Sequence, residues 1–279
     1  MTASLRPLAW SRIGFGAVVL IRTTPLARLA DPRFALESQT LLGWPRLGEL
    51  QTPAPGFGLS PDVVKLLCIA RTLGAAAFLL GYRPRLTGIV AAVAGYLVVL
   101  QNAFAFTFTQ HLLFVGMFVL AFTDCATLLA LRPEEPRSPV TSRWLVWSLV
   151  TSVYAWAAIS KLRWDWLDGR TLGLFFDEGK LGGPLAPLLA GTAERRALAG
   201  PLIVFIELAL VPLLTWPRTR FVGFVTACSF HAVIEAVARP DVFGWGMVAL
   251  LMSFVGLEGG GERRQLAQRA ASNGQTKSP

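Results

Sequence analysis

His111 and His231 are the only histidines in the chain, and with Lys161 and Glu235 they are the residues best suited to moving protons. Each lies at the edge of a long apolar run. His111 opens one run, Lys161 closes another, and His231 and Glu235 stand one turn apart late in a third. The stretch Tyr154-Ala-Trp-Ala-Ala-Ile-Ser-Lys161-Leu-Arg-Trp-Asp165-Trp166-Leu-Asp-Gly169 says most. Tyr154 and Lys161 are seven residues apart, hence on one helical face. A lysine that ends an apolar helix just before a Trp-rich turn is partly desolvated. That favours the neutral amine and makes it available as a base. A flat, apolar, redox-active molecule dissolved in a bilayer could reach such an amine from the side, with Tyr154, Trp166, His231 and Glu235 as walls.

Each residue also has a plainer use. Lys161 could extend its ammonium to the membrane interface, His111 could cap its helix or face water, and His231 with Glu235 could be a hydrogen-bonded structural pair. Two histidines and a carboxylate can also hold zinc or non-haem iron. No His-x-x-x-His or His-Glu-x-x-His spacing supports that option, so no metal is expected.

The elements that must position these residues follow from composition. The chain has 279 residues, 53% of them hydrophobic and only 15% charged, against about 25% charged in a soluble domain. A membrane-spanning helix needs about 20 mostly apolar residues. Candidates lie near 8–22, 61–82, 86–104, 111–131, 143–161, 199–216, 219–238 and 242–257. The expectation is an all-α polytopic membrane protein, a bundle of about eight spans over residues 1–258 with a disordered cytoplasmic tail over 259–279. Arg12 and Arg22 interrupt the first segment, which could be a signal core cleaved near Ala27-Arg-Leu-Ala30; a retained helix is the preferred reading. Longer Pro- and Gly-rich connections are expected at 23–60 and 162–198. Cys68, Cys125 and Cys228 each fall inside a span and read as small core residues.

The net charge of +9 could mean a nucleic-acid partner, but the chain has only four lysines and no polar surface on which to cluster them. With the N-terminus cytoplasmic, the inner side carries Arg6, Arg83, Arg85, Arg132, Arg137, Arg143, Arg218, Arg220, Arg263, Arg264, Arg269 and Lys277 against Glu134, Glu135 and Glu262. The outer segments balance. The positive charge is therefore a topology signal with both termini inside. Ionisable residues within spans are costly and tend to pair across the bundle interior. By depth, Arg71 is expected to meet Glu207 near the midplane, and Arg12 to meet Asp124 in the inner half.

At Lys161-Leu-x-x-Asp165-Trp166-x-x-Gly169 the chain resembles the vitamin K-dependent gamma-carboxylase family and its bacterial relatives, the horizontally transferred transmembrane domain proteins. Weaker matches follow the family's order: Arg12-Ile-Gly-Phe-Gly16, Gln110-His111 with Gly116 and Asp124, Glu207, and Phe230-His231 with Phe243-Gly-Trp-Gly-Met247. The resemblance implies an eight-helix bundle in which a lysine, here Lys161, deprotonates a reduced quinone. His111 would hold the ionised quinol, with Gln110 beside it. Oxygen then adds, and the oxygenated quinone takes a proton from a glutamate side chain that captures carbon dioxide. The family's Lys-Lys pair is Ser160-Lys161 here, and its Asn-His is Gln110-His111. The sequence runs from Gly259 only to Pro279 beyond its last span, so carboxylation of a propeptide-bearing protein is not expected.

The resulting expectation is a membrane enzyme that binds reduced vitamin K or menaquinol in the outer half of the bilayer. Oxygen and carbon dioxide would be co-substrates of epoxidation- or carboxylation-type chemistry. The alternative is a non-catalytic immunity, sensing or transport component that keeps the same bundle. The excess of Arg over Lys, with abundant Ala and Leu, points to a bacterial inner membrane.

Overall fold

The computed structural model describes residues 6–23, 40–41, 44–45, 59–100, 108–136, 138–238 and 242–255. Regular structure in them is helical apart from one antiparallel pairing, β1 (Thr40–Leu41) with β2 (Trp44–Pro45), in which Thr40 faces Pro45 and Leu41 faces Trp44. The helices are α1 (Arg6–Thr23), α2 (Pro61–Leu80), α3 (Pro84–Leu100), α4 (Phe108–Ala121), α5 (Pro139–Lys161), α6 (Trp164–Leu167), α7 (Arg170–Asp177), α8 (Ala186–Ala190), α9 (Ala193–Thr215), α10 (Arg220–Val237) and α11 (Val242–Leu251). A 3₁₀ turn, Met252–Phe254, follows α11. Most of the connection expected over 23–60, and all of the tail expected over 259–279, lies outside the described residues.

Helices α1 to α5 and α9 to α11 fall on the eight expected segments, but they are not eight equal spans. Among the described residues three stretches are long and apolar enough to cross a membrane: Asp62–Leu80, Ala193–Thr215 and Arg220–Val237. Helices α3, α4 and α11 are apolar but shorter. The fourth segment, expected to run to residue 131, stops at Ala121. The Thr123 and Thr127 hydroxyls donate to the carbonyls of Leu120 and Asp124 at 2.7 and 2.8 Å, and Leu129 takes a left-handed φ of 54°. Local side-chain bonds of this kind compete with a continuing helix.

Helices α1 and α5 have the length but carry polar residues. In α5 the hydroxyls of Thr151, Ser152 and Ser160 donate to Trp147, Leu149 and Ala157 carbonyls at 2.7 to 2.8 Å. Ser11 does the same to Pro7 in α1. A hydroxyl bonded to its own helix presents little polarity to its surroundings. The apolar outer surface fits this arrangement. Leu66, Leu73 and Leu80, seven residues apart along α2, are all half or more exposed. A stripe of that kind suits contact with lipid and not with water. The apolar helices are those of a membrane protein.

The segment read as a retained first helix forms α1 and packs against α2, α4, α11 and the 3₁₀ turn. Phe15 and Val19 are fully buried there. On the other side of the molecule α5 packs along α9, and α9 packs on α10. The connection expected over 162–198 is largely helical: α6, α7 and α8 all pack on the first half of α9. Between α7 and α8, Gly183 and Leu185 donate backbone N–H groups to the Val237 and Ala236 carbonyls at 3.0 and 2.9 Å. This gives the end of α10 partners for carbonyls that the helix itself leaves unpaired, and it closes one wall of a cavity.

Candidate functional site

The Lys-Leu-x-x-Asp-Trp-x-x-Gly stretch is a built corner. Helix α5 ends at Lys161, and α6 and α7 turn the chain back onto α9. Gly169, between α6 and α7, has φ of 82°, and a Cβ there would fall 2.5 Å from the Arg196 backbone carbon of α9. Both facts require glycine. Asp165 accepts a hydrogen bond from the Thr171 hydroxyl at 3.3 Å. Asp168 accepts the Arg170 backbone N–H at 3.0 Å and the Arg170 guanidinium at 2.6 Å. These bonds, the backbone one first, hold the Asp168 carboxyl below the usual carboxylate range. The corner's effect is to lay the Trp166 ring against Lys161, with Nζ 5.5 Å from the ring centroid, a distance suited to cation–π attraction.

Lys161 does not extend to the interface. Its Nζ donates to both carboxylate oxygens of Glu207 at 2.8 and 2.9 Å and to the Ala157 carbonyl at 3.2 Å. The Lys161 side chain is 19% exposed and that of Glu207 7%. The pair sits in the wall of a cavity of about 630 Å³, within the usual range for small-molecule sites. Its walls come from α5, α6, α7, α8, α9, α10 and α11, and apart from Lys161, Glu207, Ser160 and Lys180 every lining residue is apolar or aromatic. Lys180 lies on the exposed side, bonded to Glu178 at 2.6 Å and over the Phe175 ring.

Of the expected walls, Trp166 lines this cavity, whereas Tyr154, His231, Glu235, Gln110 and His111 do not. Tyr154 and His231 form a buried pair behind the wall, hydroxyl to Nε2 at 2.9 Å. The imidazole meets the rings of Phe230 and Phe243 at 5.9 and 5.7 Å between centroids, and both of those line the cavity. The His231–Glu235 pair does not form. The imidazole turns to Tyr154 and its Nδ1 has no hydrogen-bond partner among the described residues, while the Glu235 carboxylate lies against Gly244 of α11. His111 is bonded through Nδ1 to the Tyr96 hydroxyl at 3.0 Å, on the α3–α4 side. The two histidines thus serve different tyrosines on different helices.

Tyr154→Phe is expected to destabilise the fold by about 1–3 kcal/mol, because it strips a buried imidazole of its partner. Tyr154→Phe with His231→Phe should recover most of that loss, since two apolar rings leave no polar atom unpaired. Unfolding by denaturing detergent, followed through helical circular dichroism, measures both.

Both expected ion pairs are replaced by other contacts. Glu207 is taken up by Lys161, not by Arg71. Arg71 is buried on α2 beside Cys68, and α2 packs on α1 and α3 while α9 packs on α5 and α10. Arg12, fully buried, donates to the Leu129 carbonyl and not to Asp124. Asp124 lies past the end of α4. Its carboxylate accepts the Ser138 backbone N–H and its own N–H donates to the Ser142 hydroxyl, each at 2.9 Å. It fastens the 122–138 loop to the start of α5.

The partner that sequence reasoning missed for Lys161 carries one signal. Glu207 is the only acidic residue between Glu194 and Glu235. It lies 14 residues, or about 21 Å, into α9 at 1.5 Å per residue, and it meets Lys161 because α9 begins well beyond the end of α5, alongside α6 to α8.

No curated protein and no solved structure matches the chain. The family model of the HTTM domain matches residues 3–258, a stretch that takes in the central helix α1, the α5–α6 corner and the cavity between α5, α9 and α10, and the chain belongs to the HTTM domain family.

Proposed function

We propose that this chain is a membrane-embedded enzyme that deprotonates a lipid quinol at Lys161, for oxygen-dependent chemistry of the epoxidation or carboxylation type. One observation carries the reading. A largely buried Lys161–Glu207 pair, with Lys180 at the exposed side, is the ionisable part of a cavity of about 630 Å³ whose other walls are almost wholly apolar. A quinol has that division of character, with an ionisable hydroxyl on a flat ring and a hydrocarbon chain. The Trp166 ring beside Lys161 offers a face on which such a head can stack. The HTTM family and its association with the vitamin K-dependent carboxylases support the same substrate class. Lys161 is the base in this reading. His111 enters only through the resemblance, since it does not line the cavity. The proposed setting is a bacterial inner membrane, with both termini cytoplasmic and the bundle built from about eight helices.

The test is oxygen uptake and quinone-epoxide formation by the purified protein supplied with menaquinol. Activity is expected in the wild type and absent from Lys161→Ala. Equal rates in the two would remove Lys161 as base.

A second reading has its own observation. The Lys161 ammonium is bonded to both Glu207 oxygens and to the Ala157 carbonyl, which is how a structural ion pair looks. A non-catalytic membrane component would use the same cavity to hold a lipid. Stoichiometric copurified lipid with no turnover would favour it.

A further inference from the structure

We infer that deprotonation of the quinol leaves Glu207 protonated, with Lys161 relaying the proton and staying behind as the counter-ion of the quinolate. The inference builds on the quinol reading above and adds a second residue to the chemistry. An ammonium has three hydrogens and no lone pair. Here the ammonium is bonded to Glu207 Oε1, Glu207 Oε2 and the Ala157 carbonyl. In that state Lys161 cannot accept a proton, and the basic atoms of the pair are the carboxylate oxygens of Glu207.

The step balances by either route. If Lys161 first hands a proton to Glu207 across the 2.8 Å bond, the pair becomes a neutral amine beside a neutral carboxylic acid, and the amine then takes the quinol's hydroxyl proton. If the two transfers are concerted, the same bonds break and form together. Both routes end with quinolate, the Lys161 ammonium and protonated Glu207. One O–H bond of the quinol is broken, one O–H bond is made on Glu207, no electrons change hands and no co-reactant is needed. The site has zero net charge before substrate arrives, and the new anion is left beside the one cation that held the old one.

The surroundings leave few rivals for the proton. The other ionisable groups facing Glu207 are the Tyr154 phenol on α5, already bonded to His231, and Lys180 at the exposed side of the cavity, held by Glu178. The cavity residues of α10 are apolar or aromatic, with His231 screened behind Phe230 and Phe243.

The experiment is anaerobic, so that deprotonation is seen apart from any reaction with oxygen. The full chain in lipid nanodiscs is mixed with menaquinol; quinolate is read from its absorbance, and the carboxyl region from infrared difference spectra. The wild type is expected to form quinolate and to gain the carbonyl stretch of a protonated carboxylic acid. Glu207→Gln keeps a hydrogen-bond acceptor for Lys161. It is expected to bind menaquinol yet form quinolate about 100-fold more slowly at neutral pH, the lower end of what a positioned base contributes. The rate should recover only at alkaline pH, and the acid band should be missing. Quinolate formation by Glu207→Gln with the wild-type rate and pH profile would overturn the assignment. So would quinolate in the wild type without the acid band, an observation that needs no variant to fold. A wild type that binds no menaquinol, or binds it without forming quinolate, would instead overturn the quinol reading on which the assignment rests.

Discussion

Lys161→Met is expected to abolish quinol-dependent turnover and to lower folding stability by about 3–5 kcal/mol, the usual cost of leaving one partner of a buried ion pair uncompensated. Glu207, whose side chain is 7% exposed, would lose its ion-pair partner, and both its oxygens would lose their donor. Lys161→Met combined with Glu207→Leu should regain most or all of the stability, because an apolar pair of similar volume carries no desolvation penalty. Activity should stay absent. Denaturing-detergent titration of the single and double variants, beside the menaquinol assay, separates the two roles. If the single variant unfolds at the wild-type midpoint, the pair contributes nothing to holding α5 against α9.

Gly200→Ala is the second large effect. A Cβ at this position of α9 would lie 2.1 Å from the Trp166 carbonyl oxygen, and a backbone atom cannot swing away as the end of a side chain can. The expected loss is about 3 kcal/mol, the upper end for overpacking. It should come with weakened binding in the cavity, since α6 must move off α9 and carry Trp166 away from Lys161. Gly246→Ala is the control: in α11 the nearest atom to a new Cβ is 3.6 Å away, on Phe15. There the exchange should be neutral or stabilising by about 0.5–1 kcal/mol, as expected for alanine inside a helix. Thermal and detergent midpoints of both variants check the contrast.

Much of the site's local chemistry was legible in the chain. Lys161 stands out in the sequence as the ionisable end of an apolar helix, Trp166 as its neighbour across the turn, and Asp165 and Gly169 as parts of one pattern. The structure explains that pattern as a corner: Asp165 bonds Thr171, and Gly169 admits both the left-handed backbone and the Arg196 backbone beside it. Apart from the contact with Arg196 of α9, these relations join residues within about three helical turns of one another, and so a linear reading reaches them.

Depth read along the apolar runs assumes that every helix begins and ends at the same plane. Helix α4 stops early, which leaves Asp124 in a loop, and α9 starts early, at Ala193, with Glu207 held by Lys161. Spacing along α10 makes His231 and Glu235 natural partners, although α5 offers a buried tyrosine on one side and α11 a backbone approach on the other. His111, expected at the same membrane face as Lys161, is bonded to Tyr96 and does not line the cavity.

Hydrophobic runs and the Lys161 corner determine, from sequence alone, an apolar helical membrane protein with a lysine closing one apolar helix. Those features are additive along the chain: each residue's transfer preference and each helix's periodicity can be read without knowing its neighbours in space. Which carboxylate meets that lysine is not additive. It depends on how far α9 slides along α5, and that offset is set by α6 to α8 packing on the first half of α9 through close backbone contacts at Gly169 and Gly200. Only the tertiary structure decides it, because a shift of one helical turn, about 5.4 Å, would take Glu207 from Lys161 and put an apolar side chain in its place without altering any residue.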